Sequence, residues 1–280
     1  MEIPLDLLKL VSSFLIKPYM KLLDWISMTH LNYDMLSFNC NAITLLENNL
    51  DKVSWHGLSR NENAIHILEM YPDKIKFIYL SKNSNAMHLI KKNLDKAYLM
   101  DMEYLSQNPR AIPLLEEIFF PLNWKGLSKN PNAIHLLEAN PKKINWDSIS
   151  ENPNAIHLIE ERLKHTTSKI NWKKLSRNLN AIHILEANMN LIEWAYLSRN
   201  PNAMHILLKN PDKIDWYSLA RNPHPEALKL VKQHMLYYPS FYDDCLTLSL
   251  NPSIFEIDIE QFNNDIKTKS NNIDKLLHET

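Results

Sequence analysis

Glycine is nearly missing from this chain of 280 residues, which contains only Gly57 and Gly126. A Gly-rich phosphate loop and a dinucleotide fingerprint are thereby excluded, because both need several glycines close together. Cysteine is equally scarce. Cys40 and Cys245 are too few for a disulfide framework or a Cys-based zinc motif. An excess of either charge is also lacking: 31 Lys and Arg stand against 32 Asp and Glu, a net charge of -1. The main argument for non-specific nucleic-acid binding therefore fails. Long apolar runs are absent too. The stretch from Leu5 to Ile16 is broken by Asp6, Lys9, Ser12 and Ser13, so it is too short and too mixed to cross a membrane. No small-residue cleavage site follows it, and the expectation is a protein that is not secreted and sits in a reducing compartment.

What the chain has in abundance is repetition. Hydrophobic residues make up 45% and charged residues 22%, enough to bury a core. Length alone suggests two domains, but internal self-similarity overrules that prior. One copy reads Ile144-Asn145-Trp146-Asp147-Ser148-Ile149-Ser150-Glu151-Asn152-Pro153-Asn154-Ala155-Ile156-His157-Leu158-Ile159-Glu160. Indexed by the Asn of Ser-x-Asn, the copies fall at Asn39, Asn61, Asn83, Asn108, Asn130, Asn152, Asn178, Asn200, Asn222 and, more weakly, Asn251. Most steps are 22 residues, and every third step is longer, at 25, 26 and 29.

Each copy carries start signals for two short helices. The first follows Asn, Asp or Ser before an aromatic residue, as in Asn32-Tyr33, Ser54-Trp55, Asn123-Trp124, Asn145-Trp146, Asn171-Trp172 and Asp215-Trp216. The second is expected to start at Asn-Pro, as at Asn130-Pro131 or Asn200-Pro201, with Asn as cap and Pro in the first helical position. It stops near pairs such as Asn140-Pro141 and Asn210-Pro211, where proline cannot continue the ladder. Helices under ~12 residues are marginal alone, so stacking must supply their stability. The expected architecture is an all-α solenoid of about ten helix–turn–helix copies over residues 25–258. It would be a rod or arc on the order of 90 Å long, capped at both ends. A leucine-rich repeat fits less well. It needs an apolar residue five positions before the Asn, where this chain has His56, Lys125, Asp147, Lys173 and Tyr217.

Some copies depart from the pattern. Phe77 and Met102 replace the usual Trp. Pro113 stands where other copies have His, and with Ile118-Phe119-Phe120-Pro121 it predicts a bend near residues 108–122. The ninth copy runs from Asn222 into an apolar stretch through Tyr238 that reads as the start of a C-terminal cap, and residues 259–280 read as a polar tail.

The candidate chemistry is thin. His66, His88, His135, His157, His183 and His205 share one repeat position, and Glu69, Glu138, Glu160 and Glu186 follow four of them by three residues. A metal ladder is disfavoured, because zinc ligands lie ~2.0–2.1 Å from the metal while stacked copies lie ~8–10 Å apart. Hydrogen bonding to a neighbouring turn or an ion pair with Glu is the expected role. Trp55, Trp124, Trp146, Trp172, Trp194 and Trp216 also share one position, which suits a core ladder better than base stacking. A thin basic line precedes the asparagines: Arg60, Lys82, Lys129, Arg177, Arg199 and Arg221, interrupted by Gln107 and Glu151. Asp243-Asp244-Cys245 reads as a solvated turn. No nucleophile–base–acid arrangement stands out, so neither enzymatic activity nor a cofactor is expected.

Two resemblances add to this reading. The segment Ile3 to Leu15, within a leading unit 1–24, resembles the opening of an F-box. That resemblance implies that Pro4, Leu5, Leu8, Val11 and Leu15 dock a Skp1-type adaptor; the alternative is a helix that caps the first repeat. The unit Trp-x-x-Leu-Ser-x-Asn-Pro-Asn-Ala-Ile-His-Leu-Leu-Glu, over residues 25 to about 223, is similar to repeat proteins of giant DNA viruses of amoebae, the mimivirus relatives. This resemblance implies a viral repeat protein in host cytoplasm or virion, with Asn61, Asn130, Asn152 and Asn200 as structural signatures. The expected function is a non-catalytic scaffold for a protein partner. The alternatives are a substrate adaptor for a ubiquitin ligase and an RNA-binding solenoid along the basic line, although the charge balance argues against nucleic acid.

Overall fold

The computed structural model describes residues 19–117, 122–166, 169–238, 241, 246–261 and 264. Each copy consists of a short first helix, a turn centred on the indexed Asn, and a second short helix. In the fifth copy these are Trp124–Lys129 and Ile134–Ala139, followed by a 3-10 turn at Pro141–Lys143. Several first helices are capped as their sequence predicts. Asn32, Asn123, Asn145, Asn171 and Asp215 each accept, through a side-chain oxygen, the N–H three residues on. Ser54 departs from this, for its side chain makes no cap bond.

The α-helical part of the second helices starts later than Asn-Pro predicts, although at Asn200-Pro201 a 3-10 helix, Pro201–Ala203, begins where expected and leads into Met204–Lys209. The Oδ1 of Asn152 accepts the N–H of Asn154 at 3.0 Å and closes a turn. The α-helix Ile156–Leu163 begins only after Ala155. In this copy proline serves the turn, whereas Pro201 and Pro252 take the first position of short 3-10 helices capped by Asn200 and Asn251, as expected. Pro113 lies in the first turn of the helix Ile112–Glu117, where its missing N–H costs no helical bond. Asn108 and Asn130 make the same bonds to their preceding copies as the other asparagines do. Residues 118–121 lie outside the described residues.

The repeat motif names the bonds between copies. Ser128 Oγ donates to Trp124 O at 2.7 Å and accepts the N–H of Asn145, the cap of the next copy, at 2.9 Å. Asn152 Nδ2 donates to Ser128 O at 3.1 Å and to Asn130 O at 2.9 Å, both in the copy before. All ten indexed asparagines are at most 3% exposed. The second Asn of Asn-Pro-Asn repeats this on the surface, as where Asn154 Nδ2 donates to Pro131 O at 3.0 Å. Aliphatic rows fill the space between helices: Leu58, Leu127, Ile149 and Leu175 from first helices; Ala64, Ala133 and Ala155; then Leu68, Leu137 and Ile159, all without exposed surface. The tryptophans flank this core and are half-buried, so the continuous ladder is aliphatic and not indole. An indole is too large and carries an N–H to satisfy, and at the margin it also meets cations. Lys143 lies 4.6 Å from the Trp124 ring centroid and Arg162 lies 4.9 Å from that of Trp146.

The chain closes on itself. Asn39, in the first copy, donates to Ser249 O at 2.9 Å and to Asn251 O at 3.0 Å, in the last. Asn251 in turn donates to Asn222 O at 3.0 Å. Asn32 N–H donates to Ser249 Oγ at 2.9 Å, the bond that Asn145 makes to Ser128. A two-stranded antiparallel ribbon staples the seam: β1 (Met20–Leu22) pairs with β2 (Phe255–Ile257), with Lys21 opposite Glu256. This overturns the expected open rod with two caps. The helix Pro225–Tyr237, read as the start of a terminal cap, is instead a lengthened second helix leading into a tenth copy. Residues 20–22 of the leading unit form a strand and not a helix, while residues 1–18 lie outside the described residues.

The two glycines have a steric cause. Both stand four residues before an indexed Asn, where first helices of adjoining copies touch. A Cβ on Gly57 would sit 2.5 Å from Ser37 Cβ, and one on Gly126 would sit 2.4 Å from Glu103 O. Closure makes a prediction that an open solenoid does not. Asn152→Ala leaves the buried Ser128 carbonyl without its donor, takes one of two donors from Asn130 O and frees the part-buried Asn154 N–H, and is expected to cost ~2 kcal/mol or more in urea unfolding. Asn39→Ala is expected to cost about as much, because in a ring its partners are also buried. A cost under ~1 kcal/mol for Asn39→Ala alone would contradict closure.

Candidate functional site

Ring closure turns the basic line into the lining of a central cavity. Residues directly before or after eight of the ten indexed asparagines line this space, which measures about 880 Å³; those flanking Asn108 and Asn130, Lys129 among them, do not. Its wall combines Arg60, Lys82, Arg177, Arg199 and Arg221 with the carboxylates Glu62 and Glu151, from copies on opposite sides of the ring. Local structure fixes these positions. Arg60 and Arg177 are the last residues of their first helices, and the buried Asn that follows each one anchors the backbone.

The electrostatics reflect the crowding. The Lys82 ammonium is pushed down to about 8, first by burial and then by repulsion from Arg60, with Lys129 and Arg177 adding to it and Glu151 opposing it. Arg199 is pushed down to about 10 by burial, then by Arg221 and Arg177. Arg221 is lowered by burial and by Arg177. Arg177 has a carboxylate near it, Glu151 at 3.9 Å. The Arg60 guanidinium lies 6.0 Å from the Phe38 ring centroid and the Lys82 ammonium 5.5 Å from that of Tyr104.

The histidine row does something else. His88, His157, His183 and His205 pair with Glu69, Glu138, Glu160 and Glu186 at 2.8–3.0 Å. His135 pairs with Glu116 at 3.4 Å, and His66 with Glu47. In every case the Glu belongs to the preceding copy and not, as the three-residue spacing suggests, to the same helix. The row is thus a half-exposed stitch between copies. Among the described residues no group of three or more His, Cys, Asp or Glu is placed to hold a metal ion.

The longer steps carry a second candidate surface. The third-to-fourth step adds Tyr98 and Leu99, 81% and 41% exposed; the ninth-to-tenth step adds Leu236, Tyr237 and Tyr238, 75%, 81% and 58% exposed. The latter group is held by His234, whose ring stacks on Trp216 at 3.9 Å and 5° and meets Tyr238 at 4.6 Å. Burial lowers the pKa of His234, which favours the neutral, stacked form. Pro4, Leu5, Leu8, Val11 and Leu15, the F-box-like positions, lie outside the described residues, as do Asp243, Asp244 and Cys245. No helix among the described residues is long and apolar enough to cross a membrane.

The fold and these surfaces define a closed ring of helical repeats. No protein-family model, curated protein or solved structure matches the chain.

The charged cavity has a measurable signature. Lys82 has a folded pKa near 8 against an ordinary 10.5. Between those values the unfolded chain holds a proton that the fold does not, so stability rises with pH across this window. Lys82→Met is expected to be more stable than wild type at pH 7, with the margin shrinking as the pH approaches 10. Urea unfolding at fixed salt measures both, and a margin that is constant with pH would refute this placement of Lys82.

Proposed function

We propose that this chain is a non-catalytic scaffold whose ring presents docking residues to a protein partner. One observation carries the reading: Leu236, Tyr237 and Tyr238 are exposed on residues that the repeat does not need. Copies with the plain 22-residue step keep the ladder without them, as between Asn178 and Asn200. An apolar, tyrosine-rich patch left in water is costly to solubility and is the composition found at the centre of protein interfaces. The closed ring supports the reading further, since a stapled frame holds such a patch with little ordering cost on binding. The sequence resemblance to giant-virus repeat proteins makes a host protein the first partner to seek.

The test is affinity capture with tagged full-length chain from infected cells, with and without Leu236→Glu/Tyr237→Glu. A defined protein retained at least ~10-fold less by the double variant is expected, since aromatic anchors typically carry 2 kcal/mol or more. Unchanged circular dichroism would show that the ring is intact. Equal retention by both forms would refute the placement of the interface on this helix.

A further inference from the structure

We propose that the central cavity binds a compact polyphosphate, a small molecule carrying several phosphate groups close together. The cavity walls supply five cationic side chains against two carboxylates, in a chain whose overall net charge is -1. The cations are therefore concentrated here and not spread as on an average surface. Among the described residues most of their donors have no carboxylate partner. Arg177 has Glu151 at 3.9 Å, but among the described residues no carboxylate lies within ion-pair distance of Arg60, Lys82, Arg199 or Arg221. Glu62 is engaged elsewhere, for its Oε1 accepts the Ser84 hydroxyl at 2.7 Å.

Size and chemistry select the ligand class. A space of about 880 Å³ suits a small molecule, for such sites run ~300–1,000 Å³. Four arginines favour phosphate, because a guanidinium fork matches two phosphate oxygens at once. Opposing directions matter as well. Arg60 and Lys82 on one side and Arg177, Arg199 and Arg221 on the other approach one space from different copies, as a compact multivalent anion requires. A nucleic-acid strand fits worse. It would have to thread a closed ring, and its bases want several aromatic platforms, whereas among the described residues Phe38 is the one aromatic residue of this lining. The clustered cations repel one another when nothing neutralises them, and a polyanion would remove that repulsion, so ligand binding and ring stability are coupled.

The experiment is calorimetric titration and thermal unfolding of the full chain at ~0.15 M salt. The probes are inositol hexakisphosphate, tripolyphosphate, inorganic phosphate and a short single-stranded oligonucleotide. One polyphosphate per chain is expected, with a raised unfolding midpoint, and inorganic phosphate is expected to bind far more weakly. Arg199→Gln/Arg221→Gln is expected to lose about tenfold or more in affinity while its unliganded midpoint equals or exceeds that of wild type. Glu151→Gln is expected to bind more tightly, and Lys142→Gln, on an exposed turn, to be unchanged. No binding of either polyphosphate up to ~1 mM would overturn the proposal. So would an affinity that neither Arg199→Gln/Arg221→Gln nor Glu151→Gln alters, or tighter binding of the oligonucleotide than of the polyphosphates.

Discussion

A primary amide buried between two layers of backbone must find partners or be expelled, and this requirement organises the whole molecule. Each indexed Asn places its two N–H donors on two carbonyls of the preceding copy, while its oxygen holds its own turn. The bond is specific in direction and register in a way that aliphatic contact is not. Leu and Ile rows supply the stabilising burial, but they would tolerate sliding or tilting. The amide would not, because a shift of one residue parts its two donors from the carbonyls they serve and its oxygen from its own turn.

Closure follows from repeating one such step. The copies meet through small Ser and Asn side chains beside the cavity and through Leu and Ile along the helices, so each copy is a wedge. Ten wedges return the chain to its start, where Asn39 meets Ser249 and Asn251 as any other copy meets its neighbour. The ring thereby avoids the exposed apolar ends that an open array must cap. It also has an interior, and residues that would form a stripe on a rod converge on one space. The three longer steps leave the Asn bond between copies unchanged, as Asn108 donates to Asn83 O, Asn178 to Asn152 O and Asn251 to Asn222 O.

Much of this was legible in the residues, and what was not has identifiable physical causes. The period, the helix pair, the caps at Asn145 and Asp215 and the helix stops at Asn140 and Asn210 follow from local rules. Local rules also misplace features. Asn-Pro reads as an α-helix start but opens a turn or a short 3-10 helix first, and Glu160 looks like the partner of His157 but pairs with His183 of the next copy. Closure was hidden because wedge angle is a small difference between inner and outer packing distances, which no single copy displays. One signal was present. The last copy keeps Asn251-Pro252, the repeat's own bonding group, where a terminal cap would have a polar outer face. The basic line was visible too, from Arg60 to Arg221, but only closure turns it from a thin stripe into a cavity wall. The two glycines were read for what their scarcity excludes; their positions mark where neighbouring helices leave no room for a Cβ.

A distance across the seam tests the ring most directly. Spin labels on Lys21→Cys and Glu256→Cys, with Cys40 and Cys245 replaced by Ser, report it by pulsed electron resonance. These two positions face each other on β1 and β2. The closed ring predicts one narrow distribution under about 20 Å, because paired strands lie about 4.8 Å apart and the label arms add the rest. A broad or dominant population at several tens of Å, the span of an open arc of ten stacked copies at ~8–10 Å each, would contradict it.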